Sequence, residues 1–117
     1  MAKLFLLKPG FTDKALGEDT LYYCPYSAQI LGVLNYYPRL YDELEVIFID
    51  FERPRKGLVE LVGEASQGCP NLVIPKEEVA ADDDLSYFDS YAGNYFVNSV
   101  ELIARYLSEK HKIGVPH

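Results

Sequence analysis

Short apolar runs alternate with amphipathic stretches along this chain, and this alternation constrains the fold more than any other feature. The runs are rich in leucine, β-branched and aromatic residues, typical of strands covered by other elements, and they lie at 3–7, 44–51, 71–74 and 95–97. Pro9 and Gly10 follow the first run, and Pro75 follows the third. The pattern predicts the element order β-α-β-α-β-β-α, which is an α/β fold.

The first predicted helix opens at Pro25 and ends before Pro38. Proline is tolerated in a first helical turn, because the backbone N–H it lacks has no partner there. The apolar side chains of this stretch recur at helical spacing and share one face: Ile30, Val33, Leu34 and Tyr37. We therefore expect this helix to pack against the sheet.

Two further helices are expected. The second opens at 53–55 and ends in the region of Gly63 and Gly68, since glycine commonly terminates helices. The third is capped by Asn98 or Ser99 and carries an apolar stripe between 102 and 107. Between these elements, residues 8–23 show no clear period and are interpreted as a long loop. Residues 76–93 contain an acidic run and are interpreted as a solvated excursion.

Length and charge limit the classes of function. A chain of 117 residues suits one domain, spanning 1–117, with one core. A net charge of −7 argues against nucleic acid or an anionic membrane as the partner. No apolar run reaches the roughly 20 residues of a membrane span, so a cytoplasmic location is expected. Two cysteines are too few for a disulfide scaffold, and no Cys/His cluster has metal-binding spacing, so no metal is expected.

Cys24 stands immediately before the first predicted helix. Unpaired N–H groups and the helix dipole at that position favour a negative charge, which would make the sulfur a reactive thiolate. Pro25 pre-forms the turn, and the hydroxyl of Ser27 is placed to hydrogen-bond the thiolate. A buried, inert cysteine is the alternative, because free cysteines are among the most buried side chains.

Three segments carry a resemblance to known proteins, in the correct order over nearly the whole chain: Cys24-Pro25-Tyr26-Ser27, Cys69-Pro70-Asn71-Leu72-Val73 and the stretch 98–107. The first resembles the glutaredoxin Cys-Pro-Tyr-Cys motif with its second cysteine replaced by serine. The second is similar to the segment that holds a cis-proline, and the third to the last helix of the N-terminal domain of glutathione transferases.

The chain is thus identified as a member of the thioredoxin-like superfamily, and it is also similar to a small group of uncharacterised bacterial proteins of that superfamily. The resemblance implies a βαβ-ββα arrangement, with a four-stranded mixed sheet flanked by three helices. The sequence departs from glutaredoxins in the long loop before Cys24. It also departs from whole glutathione transferases, because no residues are left for their C-terminal helical domain.

The resemblance also implies roles for individual residues. The residue before the cis-proline Pro70 is Cys69, which would face the catalytic sulfur of Cys24 and pair its backbone with a ligand. Cys69 has two interpretations: it forms a disulfide with Cys24, or it is a small side chain that fills space in the core. The ligand would contact a set of residues gathered from all three segments: Pro25, Tyr26, Cys69, Pro70, Asn98 and Ser99. Asn98 and Ser99 would hold the γ-glutamyl end of glutathione, although helix capping alone explains them.

Two functions are weighed. The first is a monothiol, glutathione-linked thiol–disulfide oxidoreductase with Cys24 as the nucleophile, assisted by Ser27. The second is a non-catalytic module that binds a thiol, a peptide or a protein partner. Neither requires a cofactor beyond glutathione, and the partner is glutathione or a protein thiol. A weaker third function is iron–sulfur carriage by a homodimer with glutathione as a co-ligand.

Three remaining features have plainer interpretations. The basic cluster of Arg53, Arg55 and Lys56 is expected to be solvated rather than to bind a carboxylate. The aromatic residues between 87 and 96 predict a locally packed loop, with a partner or self-association surface as the alternative. His111 and His117 are expected to face solvent.

Overall fold

The computed structural model describes residues 1–117 as a mixed α/β structure with a five-stranded sheet, a separate two-stranded sheet and four helices. The strands are β1 (Lys3–Leu7), β2 (Phe11–Asp13), β3 (Gly17–Tyr22), β4 (Glu45–Ile49), β5 (Asn71–Pro75), β6 (Asp89–Tyr91) and β7 (Asn94–Val97). The helices are α1 (Pro25–Tyr36), α2 (Leu40–Glu43), α3 (Val59–Val62) and α4 (Val100–His111). None of the helices combines the length and apolar character that a membrane span requires.

The main sheet has the strand order β4-β1-β5-β7-β6. β1 runs parallel to β4 and antiparallel to β5, with Leu4 opposite both Val46 and Leu72. β7 pairs antiparallel with β5 and with β6. The α/β class and the mixed sheet are therefore as predicted, whereas the sheet has five strands instead of four and the chain has four helices instead of three.

The fifth strand, β6, lies within the segment predicted to be a solvated excursion. Its three residues are all exposed, so no apolar alternation marks it in the sequence. It turns into β7 through Ala92 and Gly93, whose φ angles of 47° and 81° are those of a tight hairpin turn.

Apolar side chains cover both faces of the main sheet. Leu4 and Leu6 point to one face, where they join side chains of α1 and α4 such as Ile30 and Leu107. Phe5 and Leu7 point to the other face, into a second cluster that includes Leu58 and Val62 near α3. Successive residues of a strand alternate between faces, so the continuous apolar run of β1 reflects burial on both sides.

The predicted long loop contains a hairpin. β2 and β3 pair antiparallel around a 3₁₀ turn at Lys14–Leu16, and they form the two-stranded sheet. Five of the six residues of β3 are exposed, so this strand lacks the alternation of a half-buried one. The ring of Phe11 stacks on Phe51 with 4.4 Å between centroids, which anchors the hairpin to the segment after β4.

The second predicted helix is much shorter than expected. Residues 51–58 are irregular, and α3 occupies four residues before it ends at Gly63, as predicted. Gly57 adopts a φ of 87°, which is outside the helical region and interrupts any helix that opens at 53–55. The helix after Pro38, α2, was not predicted.

Candidate functional site

Cys24 is the N-cap residue of α1, and Pro25 occupies the first helical position. The Cys24 sulfur accepts a hydrogen bond from the backbone N–H of Ser27 at 3.3 Å, so the thiol serves as the helix cap. The side chain is half-buried, which leaves part of the sulfur accessible. The predicted position of this cysteine at the start of a helix is confirmed.

Ser27 plays a different part from the one expected. Its side chain is only 4% exposed, and its Oγ accepts a hydrogen bond from the Leu7 N–H at 3.2 Å. The hydrogen bond to the Cys24 sulfur comes from the Ser27 backbone instead. The hydroxyl thus ties the first turn of α1 to the end of β1, which holds the thiol at this edge of the sheet.

The Cys69–Pro70 peptide bond is cis, as predicted. The Cys24 thiol points at the carbonyl oxygen of Cys69, with 3.7 Å between Sγ and O. Both cysteines are free thiols. Two segments 45 residues apart therefore meet at this point, and the Cys24 sulfur lies between a backbone donor and a backbone acceptor.

A groove of about 320 Å³ opens next to these two segments. It is lined by eight residues from the start of α1, the cis-proline segment and the start of α4: Tyr26, Gln29, Cys69, Pro70, Asn98, Ser99, Val100 and Glu101. Five of the six residues proposed to contact a ligand line it, and the sixth, Pro25, is exposed beside Tyr26. Gln29, Val100 and Glu101 were not predicted.

Ser99 caps α4 through its Oγ, which accepts a hydrogen bond from the Leu102 N–H at 3.2 Å. Asn98 is exposed and is not the cap. Glu101 therefore occupies the second helical position of α4. Glu101 is the only Asp, Glu, Lys, Arg or His residue in the groove lining.

Arg55 departs most from its predicted environment. It is 6% exposed, and its guanidinium donates to two backbone carbonyls, Nε to Phe51 at 2.9 Å and Nη1 to Gln67 at 2.7 Å. The Arg55 backbone N–H donates to Oε1 of Gln67 at 2.6 Å. Arg53 and Lys56 are exposed, so only these two members of the basic cluster are solvated as expected.

These contacts place a positive charge beside the cysteines. Burial raises the pKa of the Cys69 thiol to about 11, and the neighbouring Arg55 guanidinium opposes that rise. Burial also lowers the pKa of Arg55, whereas attraction to a negatively charged Cys69 thiolate raises it. Cys69 is accordingly a protonated thiol at neutral pH. The Arg55 guanidinium beside it can stabilise the thiolate that forms when the proton leaves.

Asn71 fixes the segment before the cis-proline. Its buried Nδ2 donates to the carbonyls of Ser66 at 2.9 Å and Gly68 at 3.0 Å. Gln67 Nε2 also donates to the Glu64 carbonyl, so three side-chain hydrogen bonds link the backbone between residues 64 and 68 to Gln67 and Asn71. A polar residue that opens an otherwise apolar strand is the sequence signal for this role.

The other predicted features lie away from the groove. His111 does not face solvent: its Nδ1 is 2.6 Å from Oε2 of Glu43, and its ring meets the edge of Tyr106. His117 is exposed, as expected. Tyr87 and Phe88 pack against the first core cluster, as the locally packed interpretation predicts, whereas Tyr91 is exposed. No group of three or more His, Cys, Asp or Glu side chains could hold a metal ion.

The fold and the site define a small α/β protein with a half-buried thiol at a helix N-terminus, opposite a cis-proline segment and beside an open groove. The chain belongs to the family DUF3088, described as a protein of unknown function, whose model matches residues 1–116. No curated protein and no solved structure matches the chain.

Proposed function

We propose that this chain is a thioredoxin-like, glutaredoxin-related monothiol protein that exchanges disulfides at Cys24, with glutathione as the small thiol. The observation that carries the proposal is the Cys24 sulfur at the N-cap of α1. It accepts the Ser27 N–H at 3.3 Å and faces the carbonyl before the cis-proline at 3.7 Å. The order β1, α1, β4, cis-proline, β5, β7, α4 supports the thioredoxin-like assignment.

The reaction begins at the Cys24 thiolate, which the helix N-terminus and the Ser27 N–H stabilise. The thiolate attacks one sulfur of a disulfide that contains glutathione, and a bond forms between Cys24 Sγ and the glutathione sulfur. The old disulfide bond breaks, and the other sulfur leaves as a thiolate that takes up a proton. A thiol outside the protein then resolves the mixed disulfide in the same way.

The groove provides a surface for the glutathione part of the mixed disulfide. Backbone N–H groups in the first turn of α4, after Ser99, suit a carboxylate, and the Cys69 backbone suits a peptide group. The reduced thiols that this cycle needs persist in a reducing compartment, so a cytoplasmic location belongs to the proposal.

The direct test is formation of a mixed disulfide. The protein is incubated with glutathione disulfide, and intact mass is followed for wild type, Cys24→Ser and Cys69→Ser. We expect one glutathionyl group on Cys69→Ser, in which Cys24 is the only thiol, and none on Cys24→Ser. Wild type should show either that adduct or a species two hydrogens lighter, since both products require attack by Cys24. Alkylation rates of Cys24 at several pH values, measured in Cys69→Ser, report how readily its thiolate forms. A Cys69→Ser protein that gains no glutathionyl group refutes the exchange function.

A non-catalytic binding module is the second candidate, and one observation favours it. Cys24 is not among the residues that line the groove, so a ligand can occupy the groove without contact to that sulfur. Titration calorimetry of Cys24→Ser with glutathione separates the two functions. Binding by wild type and Cys24→Ser, together with no glutathionyl adduct on Cys69→Ser, identifies a binding module.

A further inference from the structure

The Cys69 thiol and the Arg55 guanidinium converge on one backbone oxygen. The carbonyl of Gln67 accepts a hydrogen bond from Arg55 Nη1 at 2.7 Å, and the Cys69 Sγ–H points at the same oxygen from 3.9 Å. The guanidinium therefore lies beside the second cysteine of the chain. The carbonyl oxygen of Cys69, in the same segment, lies 3.7 Å from the Cys24 sulfur.

Arg55 is buried without an acidic partner. No carboxylate lies within ion-pair distance of its guanidinium, although Asp50 and Glu52 line the same surface cavity. Buried charges are normally paired, because desolvation of a lone ion is costly. The groups that can become anionic next to it are the thiols of Cys69 and Cys24, while the exposed Arg53 adds a second positive charge nearby.

We propose that Cys69 is a resolving thiol: it displaces glutathione from the mixed disulfide at Cys24 and forms a Cys24–Cys69 disulfide. Arg55 is a positioning residue in this step, because it stabilises the Cys69 thiolate as the proton leaves. The inference rests on the proposed function, since the mixed disulfide at Cys24 is its starting point. It adds an internal route of resolution to the external one.

The step balances as an ordinary thiol–disulfide exchange. Cys69 loses its S–H proton, and its sulfur forms a bond to Cys24 Sγ. The bond between Cys24 Sγ and the glutathione sulfur breaks, and glutathione leaves as a thiol with that proton. No electrons are gained or lost overall. Two further glutathione molecules reduce the Cys24–Cys69 disulfide to two thiols and are themselves joined as glutathione disulfide.

The experiment starts from protein treated briefly with glutathione disulfide, with excess reagent then removed and no thiol added. Intact mass then follows the adduct in wild type and in Cys69→Ser. We expect the wild-type adduct to disappear and leave a species two hydrogens lighter than the reduced protein. The Cys69→Ser adduct should persist. A wild-type adduct that lasts as long as the Cys69→Ser adduct overturns the inference while the proposed function stands. Absence of an adduct on Cys69→Ser overturns both.

Arg55 is tested by the rate and pH profile of this release. In Arg55→Gln we expect release at neutral pH to slow by about tenfold, the effect of a thiol pKa one unit higher, and the profile to move to higher pH. Arg55→Lys keeps the charge and should restore much of the rate. If Arg55 has a purely structural role, Arg55→Gln and Arg55→Lys should release glutathione at equal rates, whatever stability each retains. That result would show that Arg55 does not assist the step.

Discussion

The Cys24 sulfur lies 3.7 Å from the carbonyl oxygen of Cys69, 45 residues further along the chain. The sheet accounts for this meeting. β1 and β5 are antiparallel neighbours, so the end of β1 lies beside the start of β5. The Ser27 hydroxyl then fixes the first turn of α1 to Leu7 at the end of β1. The helix N-terminus and the cis-proline segment are thus brought together by strand pairing and one buried hydrogen bond.

Replacement of Cys24 should separate its capping role from its chemistry. Serine can accept the Ser27 N–H as the sulfur does, so Cys24→Ser should unfold at nearly the wild-type urea concentration. Cys24→Ala removes the acceptor and should cost about 1 kcal/mol. Both variants should lose glutathionylation. Adduct formation on Cys24→Ser at the wild-type rate would place the nucleophile elsewhere.

The Cys69 thiol should react slowly at neutral pH. Its pKa is raised to about 11, so its thiolate fraction grows about tenfold per pH unit below that value. In Cys24→Ser, where Cys69 is the only thiol, alkylation should therefore accelerate steeply from pH 7 to 10. Urea-unfolded protein should react much faster at pH 8. A rate that levels off below pH 9 contradicts this assignment.

The same shift has a consequence for stability. Between the ordinary thiol pKa of 9.0 and about 11, the folded protein holds a proton on Cys69 that the unfolded chain has lost. The contribution of the Cys69 thiol to the free energy of unfolding is therefore fully present below pH 9, and it is lost as the pH rises towards 11. Cys69→Ala should show a smaller fall in the free energy of unfolding over this range than wild type, measured by urea titration at each pH.

Local sequence signals account for the parts of the fold and site that were predicted. The run Lys3–Leu7 is apolar at consecutive positions because β1 is covered on both faces, and Pro25 marks the start of α1 because its ring fits only a first turn. The Cys69-Pro70 pair lies directly before an apolar strand, where the resembling families hold a cis-proline. Each of these signals lies within a few residues of the feature it predicts.

Features that depend on distant partners were not predictable in this way. Arg55 is charged and stands in a loop, which usually means solvation, and its burial depends on carbonyl and side-chain groups of Gln67, 12 residues further on. The hairpin of β2 and β3 has no periodic sequence signal, because β3 is exposed on both faces. Its stacking contact between Phe11 and Phe51 joins residues 40 positions apart.

Loss of the Ser27 hydroxyl should destabilise the fold at the site. Ser27→Ala leaves the Leu7 N–H without its acceptor in a buried position, which costs about 1–3 kcal/mol. Ser90, exposed in β6, is the matched control, and Ser90→Ala should change stability by less than about 0.5 kcal/mol. Equal urea midpoints for the two variants would show that the Leu7 N–H finds another partner. Glutathionylation of Ser27→Ala should also slow, since α1 loses its tie to β1.

The same substitution, glycine to alanine, should have opposite effects on stability at two positions. Gly63 ends α3 with a φ of 86°, and a Cβ there would lie 3.0 Å from the Tyr91 ring. Gly63→Ala should therefore destabilise the protein by more than about 1 kcal/mol. Gly32 lies inside α1, where an added Cβ would meet nothing within 4 Å beyond the backbone of its own helix, so Gly32→Ala should stabilise the protein by roughly 0.5–1 kcal/mol.

The Gly63 penalty has two sources, which a third residue separates. In a Tyr91→Ala background the steric part disappears, because the ring that the new Cβ meets is gone. The strain of a positive φ remains. Gly63→Ala should thus cost less in that background than in wild type but still destabilise, as measured by urea unfolding of the four proteins of the cycle. An equal cost in both backgrounds assigns the whole penalty to the backbone, because contact with Tyr91 then contributes nothing.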